Sequence, residues 1–175
     1  MLLLSFGIVA CESGEPECFE PVEVKAKTSF VIKSVVDTGF YVVPNPGSPD
    51  STWVDTTLIS YRDSFFNNIA LLALDVDSSV GVLGIRTTLM GVPLNPFTDS
   101  QRYKILFDTA NLAISDTLTF YYQTQEHFIS NNCGYTHYFH IDSARSTFNF
   151  LDSLVLSRKE VNNDNSIRNL YLYFF

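Results

Sequence analysis

A chain of 175 residues is long enough for one domain with a substantial core, and 46% hydrophobic with 14% aromatic residues excludes a disordered polymer. A formal net charge of −8 and a pI near 4.7, with no basic stripe, argue against nucleic acid and against an anionic membrane surface as partners. Acidity of this kind chiefly keeps a protein soluble.

Residues 1–10, MLLLSFGIVA, form an apolar run too short to span a bilayer and suited to the hydrophobic region of a secretion signal. The run closes on Ile8-Val9-Ala10-Cys11, which resembles the bacterial lipobox, where cleavage falls just before the cysteine and lipid is attached to its thiol. No Lys or Arg precedes it, as a translation start further upstream would explain. The alternative is a buried first strand with Cys11 as a small hydrophobe. Residues 11–27 read as an acidic tether that opens with Glu, Pro and Gly, and residues 28–175 as the folded domain.

Inside that domain FVIKSVV and FYVV flank Asp37-Thr38-Gly39, which predicts a hairpin with glycine at its turn. Residues 45–51, with two prolines and a glycine, predict a surface loop, and residues 53–62 a strand. Helix and strand compete over residues 65–74. Ala and Leu favour a helix, but no capping box precedes the run, and it is read as a strand. Residues 81–94 are apolar and punctuated by glycine, and the prolines of Val92-Pro93-Leu94-Asn95-Pro96 mark an edge or the entry to a loop. Tyr103, Ile105 and Phe107 then alternate as a strand does.

The rest is organised around residues 116–141, DTLTFYYQTQEHFISNNCGYTHYFHI. Leu118, Phe120 and Tyr122 share one face of its first arm, and Thr119, Tyr121 and Gln123 the other. In the second arm Tyr135, Phe139 and Ile141 oppose Thr136, Tyr138 and His140. Asn131-Asn132-Cys133-Gly134 supplies residues that tolerate positive φ, as a tight connection needs. Residues 151–156 and 167–175 predict two closing strands around Asn162-Asn163-Asp164-Asn165. No helix is demanded, and the expectation is an all-β, antiparallel β-sandwich of about eight strands with Phe120, Tyr122, Phe139, Leu154, Leu156 and Leu172 in its core.

Signals for chemistry are weak. The stretch Asp75-Val76-Asp77-Ser78-Ser79-Val80-Gly81 starts like a calcium loop, yet Val80 holds the sixth place and Arg86 the twelfth. His137 and His140 lie three apart, which on a strand points them to opposite faces, and His127 stands alone, so neither a metal nor another cofactor is expected. With no Gly-x-Ser-x-Gly elbow, oriented Cys/His pair or phosphate-cradling glycine loop, no catalytic residue is assigned. Carboxylates are abundant, and a hydrolase with paired acids stays an alternative.

Cys11, Cys18, VPLNP at 92–96, DTLTFYY at 116–122, HFISNNCGYTHYF at 127–139, FNFLDSLVL at 148–156 and NLYLYFF at 169–175 together resemble an uncharacterised family of small Bacteroidota lipoproteins. The resemblance implies an envelope lipoprotein with no catalytic residues to carry over. Its expected role is that of a binding or accessory module at the outer membrane, on the periplasmic or surface face. The expected partners are the membrane, through the N-terminal lipid on Cys11, and an envelope protein or glycan. Two alternatives remain: an envelope hydrolase acting on glycans or peptides, and a small outer-membrane β-barrel, suggested by Tyr171, Tyr173 and Phe175. Leu170, Leu172 and Phe174 are apolar as well, which fits a sheet covered on both faces better than a barrel. Cysteine arithmetic supplies one more expectation. If lipid consumes Cys11, then Cys18 and Cys133 are left as an even pair in an oxidising compartment and form a disulfide.

Overall fold

The computed structural model describes residues 23–48, 51–75, 79–83, 88–131, 133–164 and 166–175. The predicted signal, Cys11, Cys18 and most of the tether lie outside the described residues, as does the Val76–Ser78 part of the calcium-like stretch. The described chain is all β: β1 (Lys25–Pro44), β2 (Ser51–Asp63), β3 (Ile69–Ala73), β4 (Ser79–Leu83), β5 (Leu89–Pro93), β6 (Ser100–Leu106), β7 (Ser115–Ser130), β8 (Gly134–Ser146), β9 (Ser153–Leu156), β10 (Glu160–Val161) and β11 (Leu170–Phe174). Two sheets result. One runs β2-β1-β11-β9 with β5 also on β1, and the other runs β10-β8-β7-β6-β3-β4.

β1 begins at Lys25, three residues before the expected domain start, because residues 25–29 pair with β5 and bury Ala26 completely. On the same edge β2 takes over from Val31 onward. Phe30 marks the handover: its N–H donates to the Thr88 carbonyl at 3.2 Å and its own carbonyl accepts from the Ser64 N–H at 2.9 Å. On the opposite edge residues 28–32 run parallel to β11, the one exception among the described residues to the antiparallel pairing expected throughout.

The inner faces follow the two-residue period. Phe30, Met90, Val92, Leu170 and Leu172 of the first sheet, all fully buried, close over Ile69, Ile105, Leu118, Phe120 and Ile141 of the second. Each such side chain contributes about 1.5–3 kcal/mol by leaving water. Of the expected core, Phe120, Tyr122, Phe139 and Leu172 are buried, while Leu154 and Leu156 are only partly covered, because β9 is the last strand of its sheet. At the start of β8 burial departs from the expected faces: Tyr135, expected with Phe139, is 63% exposed and packs on Phe128, while Thr136, expected opposite, is 1% exposed.

One turn is misplaced by the sequence reading. β1 runs unbroken through Asp37, Thr38 and Gly39, with only a register shift between Val35 and Asp37. The chain reverses instead at 45–48, where Pro46 precedes Gly47 at φ +81° and the Ser48 N–H donates to the Asn45 carbonyl at 3.1 Å. Proline at the second and glycine at the third place of a four-residue turn outcompete an Asp-Thr-Gly that can stay extended.

Two buried polar side chains fasten the ends of the sandwich. Asp116, 1% exposed, accepts at Oδ1 from the Thr147 hydroxyl (2.7 Å) and the Asn149 N–H (2.5 Å), and at Oδ2 from the N–H groups of Phe150 (2.9 Å) and Leu151 (2.8 Å). It thereby holds the β8–β9 loop, in which Phe148 sits at φ 53°. Asn169 accepts from the Lys27 N–H at 2.9 Å and donates to the carbonyls of Arg158 (3.1 Å) and Glu160 (2.7 Å).

Candidate functional site

The loop between β5 and β6 is shaped by its prolines, as predicted: Pro93 ends β5, and Asn95-Pro96-Phe97-Thr98 turn back over the second sheet. Asn95 starts the turn, its Oδ1 accepting the Phe97 N–H at 3.0 Å. Side chains from the sheet below then pin the loop. Tyr122 donates its hydroxyl to the Asn95 carbonyl (2.9 Å), accepts from the Asn95 N–H (3.1 Å) and lies 3.0 Å from the Thr98 hydroxyl. Gln101 Oε1 shares the Asn95 N–H at 3.0 Å, and the Tyr103 hydroxyl donates to the Pro93 carbonyl. Burial pushes the phenol pKa of Tyr103 and Tyr122 up, so both stay protonated and serve as fixed hydrogen-bonding groups. This support holds Phe97 with 87% of its surface in water.

Below Phe97 the outer face of the six-stranded sheet forms a cleft of about 720 Å3, lined by Asp75, Phe97, Thr98, Asp99, Ser100, Arg102, Thr119 and Tyr121. Its floor is set by register: Ser100 lies opposite Tyr121, and Arg102, Thr119 and Arg145 form one row across β6, β7 and β8. The Arg145 guanidinium sits over the Tyr121 ring, 5.7 Å from its centroid. At the far wall Asp75 takes the Arg102 backbone N–H on Oδ2 (2.7 Å) and the Nε and Nη2 groups on Oδ1 (2.9 and 2.6 Å). These hydrogen bonds hold the Asp75 carboxyl below its ordinary pKa and raise that of Arg102.

The histidines stay apart. His137 faces the Phe97 ring, centroids 6.3 Å apart, His140 contacts Glu160 through Nδ1 at 2.5 Å, and His127 stacks on Tyr138. Among the described residues no three His, Cys, Asp or Glu side chains converge to hold a metal. Cys133 occupies the β7–β8 turn, its N–H donating to Ser130 Oγ at 3.1 Å, with Gly134 at φ 71° behind it. Along β8 it lies four residues from His137, whose ring faces Phe97 at the rim of the cleft. A second depression, of about 240 Å3, lies on the other sheet between Lys33, Tyr61, Ser153, Val155 and Tyr173. There the rings of Tyr61 and Tyr173 pack edge to face and Lys33 is paired with Asp152.

An all-β sandwich with an open, aromatic-rimmed cleft on one outer face is thus the class of molecule defined here. The chain belongs to a family of unknown function, DUF6452, which it matches over residues 68–174. That span covers β3 to β11 and every residue of the cleft. No curated protein and no solved structure matches the chain.

Proposed function

We propose that the protein is a lipid-anchored lipoprotein of the bacterial outer membrane that acts by binding, through the cleft around Phe97, and performs no catalysis. Phe97 carries the binding reading. A phenylalanine 87% exposed gains little from burial, yet Tyr122, Gln101 and Tyr103 fix the loop that displays it. A large apolar ring on a rigid polar support is the arrangement of a preorganised ligand site. The hydrolase alternative would draw on Asp75 and Asp99, which both line the cleft. Against it, Asp75 is committed to Arg102 with its pKa held down, the reverse of what a general acid needs. Titration of the labelled chain with fractionated envelope polymers tests the reading: shifts at the amides of Phe97, Arg102 and Tyr121 support it, and shifts confined elsewhere refute it.

In this reading Cys11 carries the lipid, the acidic stretch after it spaces the domain from the membrane, and Cys18 pairs with Cys133. Support for the pairing comes from cysteine arithmetic: the chain's other cysteines are Cys11 and Cys18, so lipid on Cys11 leaves Cys18 for Cys133, which sits in the β7–β8 turn. The bond would close more than a hundred residues of chain, worth up to about 4.7 kcal/mol in the chain-entropy account. Labelled palmitate should enter the full chain and not Cys11→Ser; an unlabelled wild type with Met1 intact refutes the anchor. Non-reducing peptide mapping should recover Cys18 linked to Cys133, and a free Cys18 thiol refutes the pairing.

A further inference from the structure

We infer that the ligand of this cleft is a neutral oligosaccharide, an inference that rests on the cleft being the binding site. A sugar ring presents C–H bonds on its faces and hydroxyls around its rim, so its receptor needs aromatic surface for the first and planar or hydroxyl hydrogen-bonding groups for the second. The cleft offers both. Phe97 and Tyr121 stand 87% and 41% exposed, and Ser100, Thr119, Asp75, Asp99 and Arg102 line the space between and below them. Two of the five Arg102 N–H donors are spent on Asp75, which fixes the guanidinium plane and leaves the others for hydroxyls.

Charge and position favour a neutral ligand over the other classes. Arg102 is committed to Asp75, and Arg145 over Tyr121 is matched by Asp99 of the lining, so the cleft carries no net positive charge in a chain of net charge −8 and gives phosphate and carboxylate groups little attraction. An extended peptide would add to an open strand edge, whereas the cleft lies on a sheet face, its floor residues Ser100, Arg102, Thr119 and Tyr121 belonging to strands paired with each other. The volume of about 720 Å3 falls within the ~300–1,000 Å3 of ligand pockets. Its position on an open sheet face suits a run of sugar units laid across the strands.

The test is a titration of the 15N-labelled full chain, separately, with maltotetraose, triacetylchitotriose, xylotetraose, inorganic phosphate and tetra-alanine. At least one saccharide should shift the amides of Phe97, Ser100, Arg102, Thr119 and Tyr121 saturably. Phe97→Ala and Tyr121→Ala should each weaken that binding about tenfold or more with an unchanged circular dichroism spectrum, and Tyr121→Phe should retain it. Shifts at these amides with phosphate or tetra-alanine and with no saccharide would overturn the saccharide assignment and leave the cleft standing. Saccharide shifts at Tyr61, Tyr171 and Tyr173 instead, undiminished binding by Phe97→Ala, or no response to any of the five probes would overturn both.

Discussion

Replacing Asp116 by alanine removes a single acceptor group on which a whole loop hangs. Its two oxygens accept three consecutive backbone N–H groups, from Asn149, Phe150 and Leu151, and the Thr147 hydroxyl. A hydrogen bond to a charged acceptor contributes about 1.5–3 kcal/mol, but the four do not add, because the freed N–H groups of the exposed residues 149 and 150 can turn to water. Leu151, 3% exposed, cannot, and its orphaned N–H alone costs about 1–3 kcal/mol. Together these give an expected loss of about 3–5 kcal/mol, near the top of the range for single substitutions. Asp116→Asn should recover little of it, since its amide NH2 must point at donors that the second oxygen now satisfies. Urea unfolding measures both variants, with an unchanged slope as the sign that stability and not the unfolded state has moved. A loss below about 1 kcal/mol for Asp116→Ala would show that the loop finds its contacts elsewhere and that this reasoning is wrong.

Phe120→Ala should cost about 3–5 kcal/mol in the same assay, because Phe120 is fully buried between the sheets; a cost under about 1 kcal/mol would contradict that burial. Asn169→Leu should lose about 2–4 kcal/mol by leaving the Lys27 N–H and the Arg158 and Glu160 carbonyls without partners, and an unchanged urea midpoint would refute that role. Asp75 should titrate below the ordinary carboxylate range in carbon-detected NMR, and Arg102→Gln should return it there. Because its folded pKa is depressed, the pair adds stability at neutral pH that is lost as pH falls through that folded value. The effect is small and salt-screened for so exposed a pair, and a titration unaltered by Arg102→Gln would refute the cause.

The central hairpin was legible because alternation is local: Leu118, Phe120 and Tyr122 turn inward as their spacing requires. The polar face of the same strand, Thr119 and Tyr121, was legible too, and it became the floor of the cleft. What completes the cleft was hidden for reasons of distance. Asp75 meets Arg102 across 27 residues, only because β3 and β6 are neighbours, and on its own it resembled the start of a calcium loop. Phe97 read as one more apolar residue after a proline; that it stands in water depends on Tyr122 and Gln101 reaching up from the sheet. Asp116 looked like an ordinary acid at a strand entrance, because nothing near it in the sequence announces a loop 31 to 35 residues away.

The parallel contact between β1 and β11 joins segments that are synthesised far apart, with Lys27 bonded to Asn169 across 142 residues. The six-stranded sheet can zip as it emerges, since β6, β7 and β8 are successive hairpin partners. The other sheet cannot close until residues 170–174 arrive, and β9 must wait with it, because its hydrogen-bonded neighbour is β11. Until then the part of the core that Leu170, Leu172 and Phe174 cover stays open, and closure of so long a loop must be met before its contacts give anything back. Closure therefore waits on residues 170–174: a chain stalled or clipped before them would lack Leu170, Leu172 and Phe174 and display the core they cover to its neighbours, the condition under which β-rich chains aggregate.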